Sequence, residues 1–388
     1  MALTSPAGKG GLTLSPLQHG LLGLAALVAV GGAVIGGVSL FGDPRAAGPR
    51  SVLPLAQAGS GEAERISVSD AAVDPMAVTQ EDASFYDQVP ADGAEAGDPA
   101  TEGAAADGAQ KHALRRPPSP LPKAPFSGYH QPGPMGPLPM VATDGRTVAR
   151  AYARPFTGDA AKPKIAIIVG GLGFNAGATQ AAIDELPPEV TLSFVPYTSG
   201  LQTWIDRARA RGHEVLLELP MEPFDPETDD TGPQTLMANG SSRENVGKLE
   251  NLLSRAAGYF GVTNYQGGRF ASSGQASAPV AQALKARGLV FVGNAIGARS
   301  AFGVEAGRAG LPFSSADRII DVQRDGNAID EQLLNLEALA LQNGSALGSG
   351  FAFPVTIDQI EEWAENLSMR GYVLAPASSV MESRNTRR

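Results

Sequence analysis

The pattern of apolar and polar positions changes character twice along the chain. Between Leu17 and Phe41 the sequence is apolar and uncharged, with Leu21, Leu22, Leu24, Leu27, Val28, Val30, Val34, Ile35, Val38 and Leu40 set among Ala and Gly. About 20 such residues cross a bilayer as a helix, and a signal-peptide core is usually only about 7–15 residues long. The expectation is therefore a retained transmembrane helix over 17–41, in preference to a cleaved leader or a buried core helix. From 42 to 137 large apolar residues are too sparse to build a core, which predicts a disordered linker. From about 138 a unit repeats: helical stripe, glycine, short apolar run.

The runs 165–169, 190–195, 214–219, 262–264, 289–292, 346–347 and 372–374 read as strands. Uninterrupted apolar runs of this length suit strands buried on both faces of a parallel sheet. The stripes Leu201/Ile205/Ala208, Leu249/Leu252/Leu253 and Leu333/Leu336/Leu339 read as helices, as does 176–186. Gly212, Gly288, Gly344 and Gly371 stand where a left-handed residue would satisfy the last helical carbonyls. Six or seven β–α units predict an α/β fold, and seven favour a distorted (β/α) barrel over an open sheet. The predicted order is a short segment (1–16), transmembrane helix (17–41), linker (42–137), barrel (138–380) and tail (381–388).

Charge sharpens this division. The formal charge is −10, yet residues 51–110 alone carry twelve Asp and Glu against the single Arg65. The following stretch turns basic and proline-rich, as in Arg115-Arg116-Pro117-Pro118-Ser119-Pro120-Leu121-Pro122. Such a composition predicts an extended, semi-rigid spacer, with a proline-motif docking site as the alternative. No basic field exists for nucleic acid. The absence of cysteine excludes disulfides, thiolate metal sites and a cysteine nucleophile.

Candidate chemistry gathers at strand ends. Gly170 and Gly171 follow the run 165–169 and read as a turn, at the end of the strand where α/β folds place their sites. Gly171-x-Gly173-x-x-Ala176 matches the dinucleotide fingerprint in form, but the next strand ends Phe194-Val195-Pro196-Tyr197 without the acid that would hold a ribose. Glu218 alternates with Leu217 and Leu219 and so faces away from them. Burying it is costly unless it is paired, so it is expected to face the pocket or to bond a cation such as Arg269. Glu218 and Glu222 are the candidate acid/base pair of a metal-free glycosidase, or ligands of a carboxylate-bound Mg²⁺ or Ca²⁺. Asn264, Gln266, Arg269, Asn294, Arg299 and Ser300 are the candidate hydrogen-bonding residues for sugar hydroxyls. Of the four histidines, only His213 lies in the strand–helix region, and it precedes its strand.

Several stretches in this region, taken in order, resemble the divergent polysaccharide deacetylase family: 165–173, 186–192, 212–223, 232–236, 264–270 and 354–357. The resemblance implies a distorted (β/α) barrel of the glycoside hydrolase/deacetylase type, usually exported, in which a divalent metal, commonly zinc, serves removal of acetyl groups from amino sugars. The functional positions depart from the family. Gly170 and Gly171 stand where it has two aspartates, and Leu217-Glu218-Leu219-Pro220-Met221-Glu222-Pro223 carries Glu218 in place of histidine. Asn264-Tyr265-Gln266 puts Tyr265 at a second histidine position, Gly293-Asn294 replaces an Asp-Ser, and Gly350-Phe351 puts Phe351 at a third histidine.

These substitutions imply vacated metal-site positions at Gly170, Gly171, Tyr265 and Phe351, no metal and no cofactor. The expectation is a membrane-anchored, extracytoplasmic barrel at a bacterial inner membrane. It would bind an envelope glycan, a peptidoglycan fragment or an envelope protein without catalysis. The alternatives are an active hydrolase or deacetylase using Glu218 and Glu222, and a scaffold with no small ligand.

Overall fold

The computed structural model describes residues 119–227 and 229–385. The segment 17–41 and the acidic part of the linker lie outside the described residues. Among the described residues, 119–227 and 229–385, no helix is long and apolar enough to cross a membrane. The chain opens with an antiparallel pair, β1 (His130–Pro132) and β2 (Pro137–Pro139), then a short helix α1 (Val148–Tyr152). The alternating body follows as β3 (Lys164–Leu172), α2 (Ala176–Glu185), β4 (Thr191–Phe194), α3 (Leu201–Ala210), β5 (Val215–Met221) and α4 (Ser242–Leu253). It continues with β6 (Gly261–Gln266), α5 (Gly274–Ala286), β7 (Val290–Gly293), α6 (Ala301–Ala309), β8 (Phe313–Ser315) and β9 (Arg318–Ile319). The last elements are α7 (Gly326–Asn343), β10 (Ser345–Phe351), α8 (Pro354–Leu367), β11 (Val373–Leu374) and α9 (Ala377–Asn385).

The body forms one parallel sheet in the order β8-β7-β6-β5-β4-β3-β10-β9, with β11 added beside the start of β3. The two ends of that order, β8 and β9, are joined only by Ala316 and Asp317. Three Cα steps reach at most ~11 Å, so the sheet has to curl until its edges nearly meet. Arg384 of α9 sits at this seam, donating to Ser314 Oγ and the Ser315 carbonyl and pairing with Asp317. The result is a curled, barrel-like parallel sheet. Burial on both faces explains why β5 reads as a continuous run and has all seven residues buried. Helix starts follow local chemistry: Ser241 and Glu244 form a reciprocal capping box on α4, and Pro354 opens α8.

The ordered body begins earlier than the sequence pattern indicates. The expected linker end at 137 falls inside packed structure, because Ala124, Tyr129 and Leu138 are all buried. The cause is Arg209, a fully buried guanidinium on the inner face of α3. It donates to the Pro122 carbonyl from Nε (3.1 Å) and Nη2 (3.0 Å), and from Nη1 to Tyr152 O (3.1 Å) and Gly258 O (3.0 Å). Its own carbonyl accepts from Leu121 N–H at 2.8 Å. Proline lacks a backbone donor but keeps its acceptor, so a proline-rich strap suits an arginine. Replacing Arg209 with Met leaves buried carbonyls unmatched, so Arg209→Met should lower unfolding free energy by about 3 kcal/mol in urea. It should also open residues 119–126 to protease before the barrel melts.

Candidate functional site

The two glycines do not form a turn. Strand β3 continues through Gly170 and Gly171 to Leu172, and its pairing with β4 steps from Val169↔Leu192 to Leu172↔Phe194. Three positions on β3 are matched by two on β4, which makes a β-bulge. Gly171 sits in it at φ +71°, a left-handed conformation that glycine adopts without steric cost. The bulge leaves the Gly171 N–H free of the strand ladder, and that amide donates to Glu218 Oε1 at 2.7 Å.

Glu218 is 3% exposed. Its other oxygen, Oε2, and the Ser193 hydroxyl are both buried without a hydrogen-bond partner among the described residues. Burial pushes the Glu218 carboxyl up to about 7, against the pull of the Gly171 amide and the nearby Ser193 hydroxyl. The cation expected for it is elsewhere, since Arg269 Nε lies 3.3 Å from Glu222.

The positions read as vacated are filled. A Cβ on Gly170 would stand 2.9 Å from Glu218 Oε1, so that carboxylate occupies the space an aspartate side chain at 170 would need. A Cβ on Gly171 would meet Phe351 Cδ1 at 3.1 Å. Phe174 and Tyr265 meet edge to face at 6.4 Å, and Phe351 lies 6.0 Å from Phe353. All four rings are half-buried. Burial, then the charges of Glu218, Asp229 and Asp230, push the Tyr265 hydroxyl up to about 12. Phe351 is held through its backbone: its N–H donates to Asp321 Oδ2 at 2.6 Å, and Thr356 Oγ1 donates to the same oxygen at 3.1 Å. Burial raises the Asp321 carboxyl, and its Oδ1 has no hydrogen-bond partner among the described residues. Among the described residues no three His, Cys, Asp or Glu side chains converge as a metal site requires. With Glu218 blocking position 170 and a phenyl ring at 351, the donor set does not fit the ion that the sequence resemblance implies.

The Glu222 carboxylate is engaged by neighbouring loops. Its Oε2 accepts from Ala238 N–H at 2.6 Å, its Oε1 faces Arg269, and its carbonyl takes the Arg269 and Phe270 amides. It fastens two loops. Asn264 does the same between β6 and β7: Nδ2 donates to Gln266 O and Asn294 O, and Oδ1 accepts from Asn294 N–H at 2.8 Å. These bonds hold Gln266 and Ala295 at positive φ, 55° and 57°, backbone strain of the kind that gathers at sites. Ser300 caps α6, accepting from Gly303 N–H at 3.0 Å. Arg299 and Gln266 are exposed, and Asn294 retains a buried, unpartnered Oδ1. Sequence reasoning missed Ser193, Phe174 and Asp321. The polar residue within Leu192-Ser193-Phe194 signals an inward polar position; nothing in the sequence ties Asp321 to Phe351.

Two predictions follow from the crowding around Glu218. A carboxyl raised in the folded state favours the protonated native form, so its contribution is fully present below the unfolded value near 4.5 and is lost as pH rises to about 7. Glu218→Gln should therefore match wild-type stability at pH 4 and exceed it by about 3 kcal/mol at pH 8, measured by urea unfolding at both pH values. Gly170→Ala should cost about 1–3 kcal/mol in wild type and much less in a Glu218→Ala background, giving a clear coupling energy in a double-mutant cycle.

Comparison with known proteins places this geometry. A family model described as divergent polysaccharide deacetylase matches residues 167–381. An uncharacterized protein of Haemophilus influenzae is 25% identical over 208 residues, spanning 53% of this chain and 73% of the relative. The uncharacterized protein YibQ of Escherichia coli is 24% identical over 223 residues, spanning 56% and 67%. The crystal structure of the uncharacterized protein ATU2773 from Agrobacterium tumefaciens aligns with a TM-score of 0.61 at 37% identity, covering 63% of this chain and 99% of that one. With a family model matching more than half its length, this chain belongs to the divergent polysaccharide deacetylase family.

Proposed function

We propose that this protein is a membrane-anchored barrel of the bacterial envelope that binds a glycan, a peptidoglycan fragment being the leading candidate, without cleaving it. Family membership ties the chain to carbohydrate chemistry. The observation that carries the non-catalytic reading is the refilled site, in which Glu218 takes the room of an aspartate and Phe351 covers Gly171. The half-buried rings of Phe174, Tyr265, Phe351 and Phe353 offer apolar faces for sugar rings, and the exposed Gln266 and Arg299 offer hydrogen bonds for hydroxyls. The apolar segment 17–41 supplies the anchor, and the linker lets the barrel reach away from the membrane. An envelope protein on the same face is the alternative partner.

A second reading, a working hydrolase, is favoured by the Glu218 carboxyl itself, because a value near 7 suits a general acid at neutral pH. Its burial, with only 3% of the residue exposed, argues against contact with a bulky substrate. The test is calorimetric titration of the protein with chitin and peptidoglycan oligosaccharides, alongside an acetyl-release and chain-cleavage assay. Binding that Phe174→Ala or Tyr265→Ala weakens about tenfold, with no product formed, is the expected outcome. Turnover abolished by Glu218→Gln would establish the hydrolase instead, and absence of both binding and turnover would leave a scaffold.

A further inference from the structure

The carboxyl end of the barrel carries negative charge that has no counterpart. Between Phe224 and Pro233, in the connection from β5 to α4, stand Asp225, Glu227, Asp229 and Asp230 and no basic residue. Among the described residues none of the four takes part in an ion pair. The charges acting on the Tyr265 hydroxyl, Glu218 first and then Asp229 and Asp230, are all negative. Arg269 and Arg324 are engaged elsewhere, Arg269 with Glu222 and Arg324 over the ring of Phe353 at 4.1 Å. Inside the barrel, Glu218 Oε2 and the Ser193 hydroxyl are buried and unpartnered among the described residues. Ser193 is in register with Leu216, two residues before Glu218, so both side chains share one face of the sheet. The rings of Phe174, just past β3, and Tyr265, on β6, meet at 6.4 Å although β4 and β5 lie between their strands. Three strand spacings amount to about 14 Å, so these rings reach toward each other across the ends of the two strands that carry Ser193 and Glu218.

We infer, resting on the reading that this end of the barrel binds a glycan, that it selects an amino sugar whose nitrogen is free and protonated over the N-acetylated form. An ammonium group supplies what the cluster lacks. Its charge answers the carboxylates of Glu218, Asp229 and Asp230, and its N–H groups are strong donors to a carboxylate. The faces of Phe174 and Tyr265 attract a cation as well. An acetamide carries no charge and leaves the carboxylates uncompensated. An ammonium is no bulkier than a methyl group, which suits a carboxyl only 3% exposed. A neighbouring cation also favours the ionised form of Glu218, which burial alone holds at about 7.

The test is calorimetric titration of the full-length protein, at physiological salt, with the disaccharides of glucosamine and of N-acetylglucosamine. The free-amine disaccharide should bind at least about tenfold more tightly. Glu218→Gln, and Asp229→Asn combined with Asp230→Asn, should each weaken it about tenfold and leave the acetylated disaccharide unchanged, so that the preference disappears. Both variants keep the shape of the side chain, and asparagine at 230 keeps the acceptor that Asp230 offers the Gly232 amide at 2.8 Å. Equal affinity for the two sugars would overturn the inference and leave glycan binding in place. So would an amine preference that survives both variants, as attraction to the acidic stretch 51–110 would produce. Binding of neither disaccharide would overturn the inference together with the reading on which it rests.

Discussion

The hydrogen bond from the Gly171 amide to Glu218 links everything at the mouth of the barrel. It requires the bulge in β3, because only there does an amide leave the ladder and turn inward. The bulge in turn requires a glycine at 171, with its positive φ. The carboxylate then excludes any side chain at 170, and the ring of Phe351 presses on 171. Four residues on three strands thus constrain one another: Gly170 and Gly171 on β3, Glu218 on β5 and Phe351 on β10.

Strand β5 and its lead-in show how differently two buried carboxylates can be used. Glu214, at the amino end, accepts from Thr191 Oγ1, the Ser378 amide and hydroxyl, and the Arg154 amide. It ties α9 and the segment after α1 to the base of the sheet. Glu218, four residues on, has one backbone donor and one unpartnered oxygen. Burial raises both carboxyls; the four donors of Glu214 stabilise its charge, whereas Glu218 is left at odds with its surroundings. Such a division, a satisfied base and a strained carboxyl end, matches the general placement of stability and function in β/α barrels.

Much of the fold was legible because β5, β7 and β10 are buried runs entered from helices that stop at Gly212, Gly288 and Gly344. β8 and β9 were not, since two- and three-residue strands carry no period. The proline-rich strap was misread because its order depends on Arg209, whose burial is set by carbonyls from three distant segments. Glu218 was correctly marked as buried by its apolar neighbours, but its partner was not, because an amide exposed by a bulge leaves no trace in residue type. Asn264 and Ser300, read as ligand residues, also hold loops in place, since a polar residue at a strand end serves either purpose.

The account rests on Glu218 being a carboxyl held near neutrality by burial beside a single amide. Site-specific ¹³C NMR titration of the Glu218 side chain in the folded protein tests this directly. The carboxyl resonance should titrate at about 7, and Ser193→Ala should move it further upward by removing an opposing hydroxyl. Titration near the ordinary value of 4.5 would contradict the account, because it would mean that the carboxylate is solvated or paired and that the site is open.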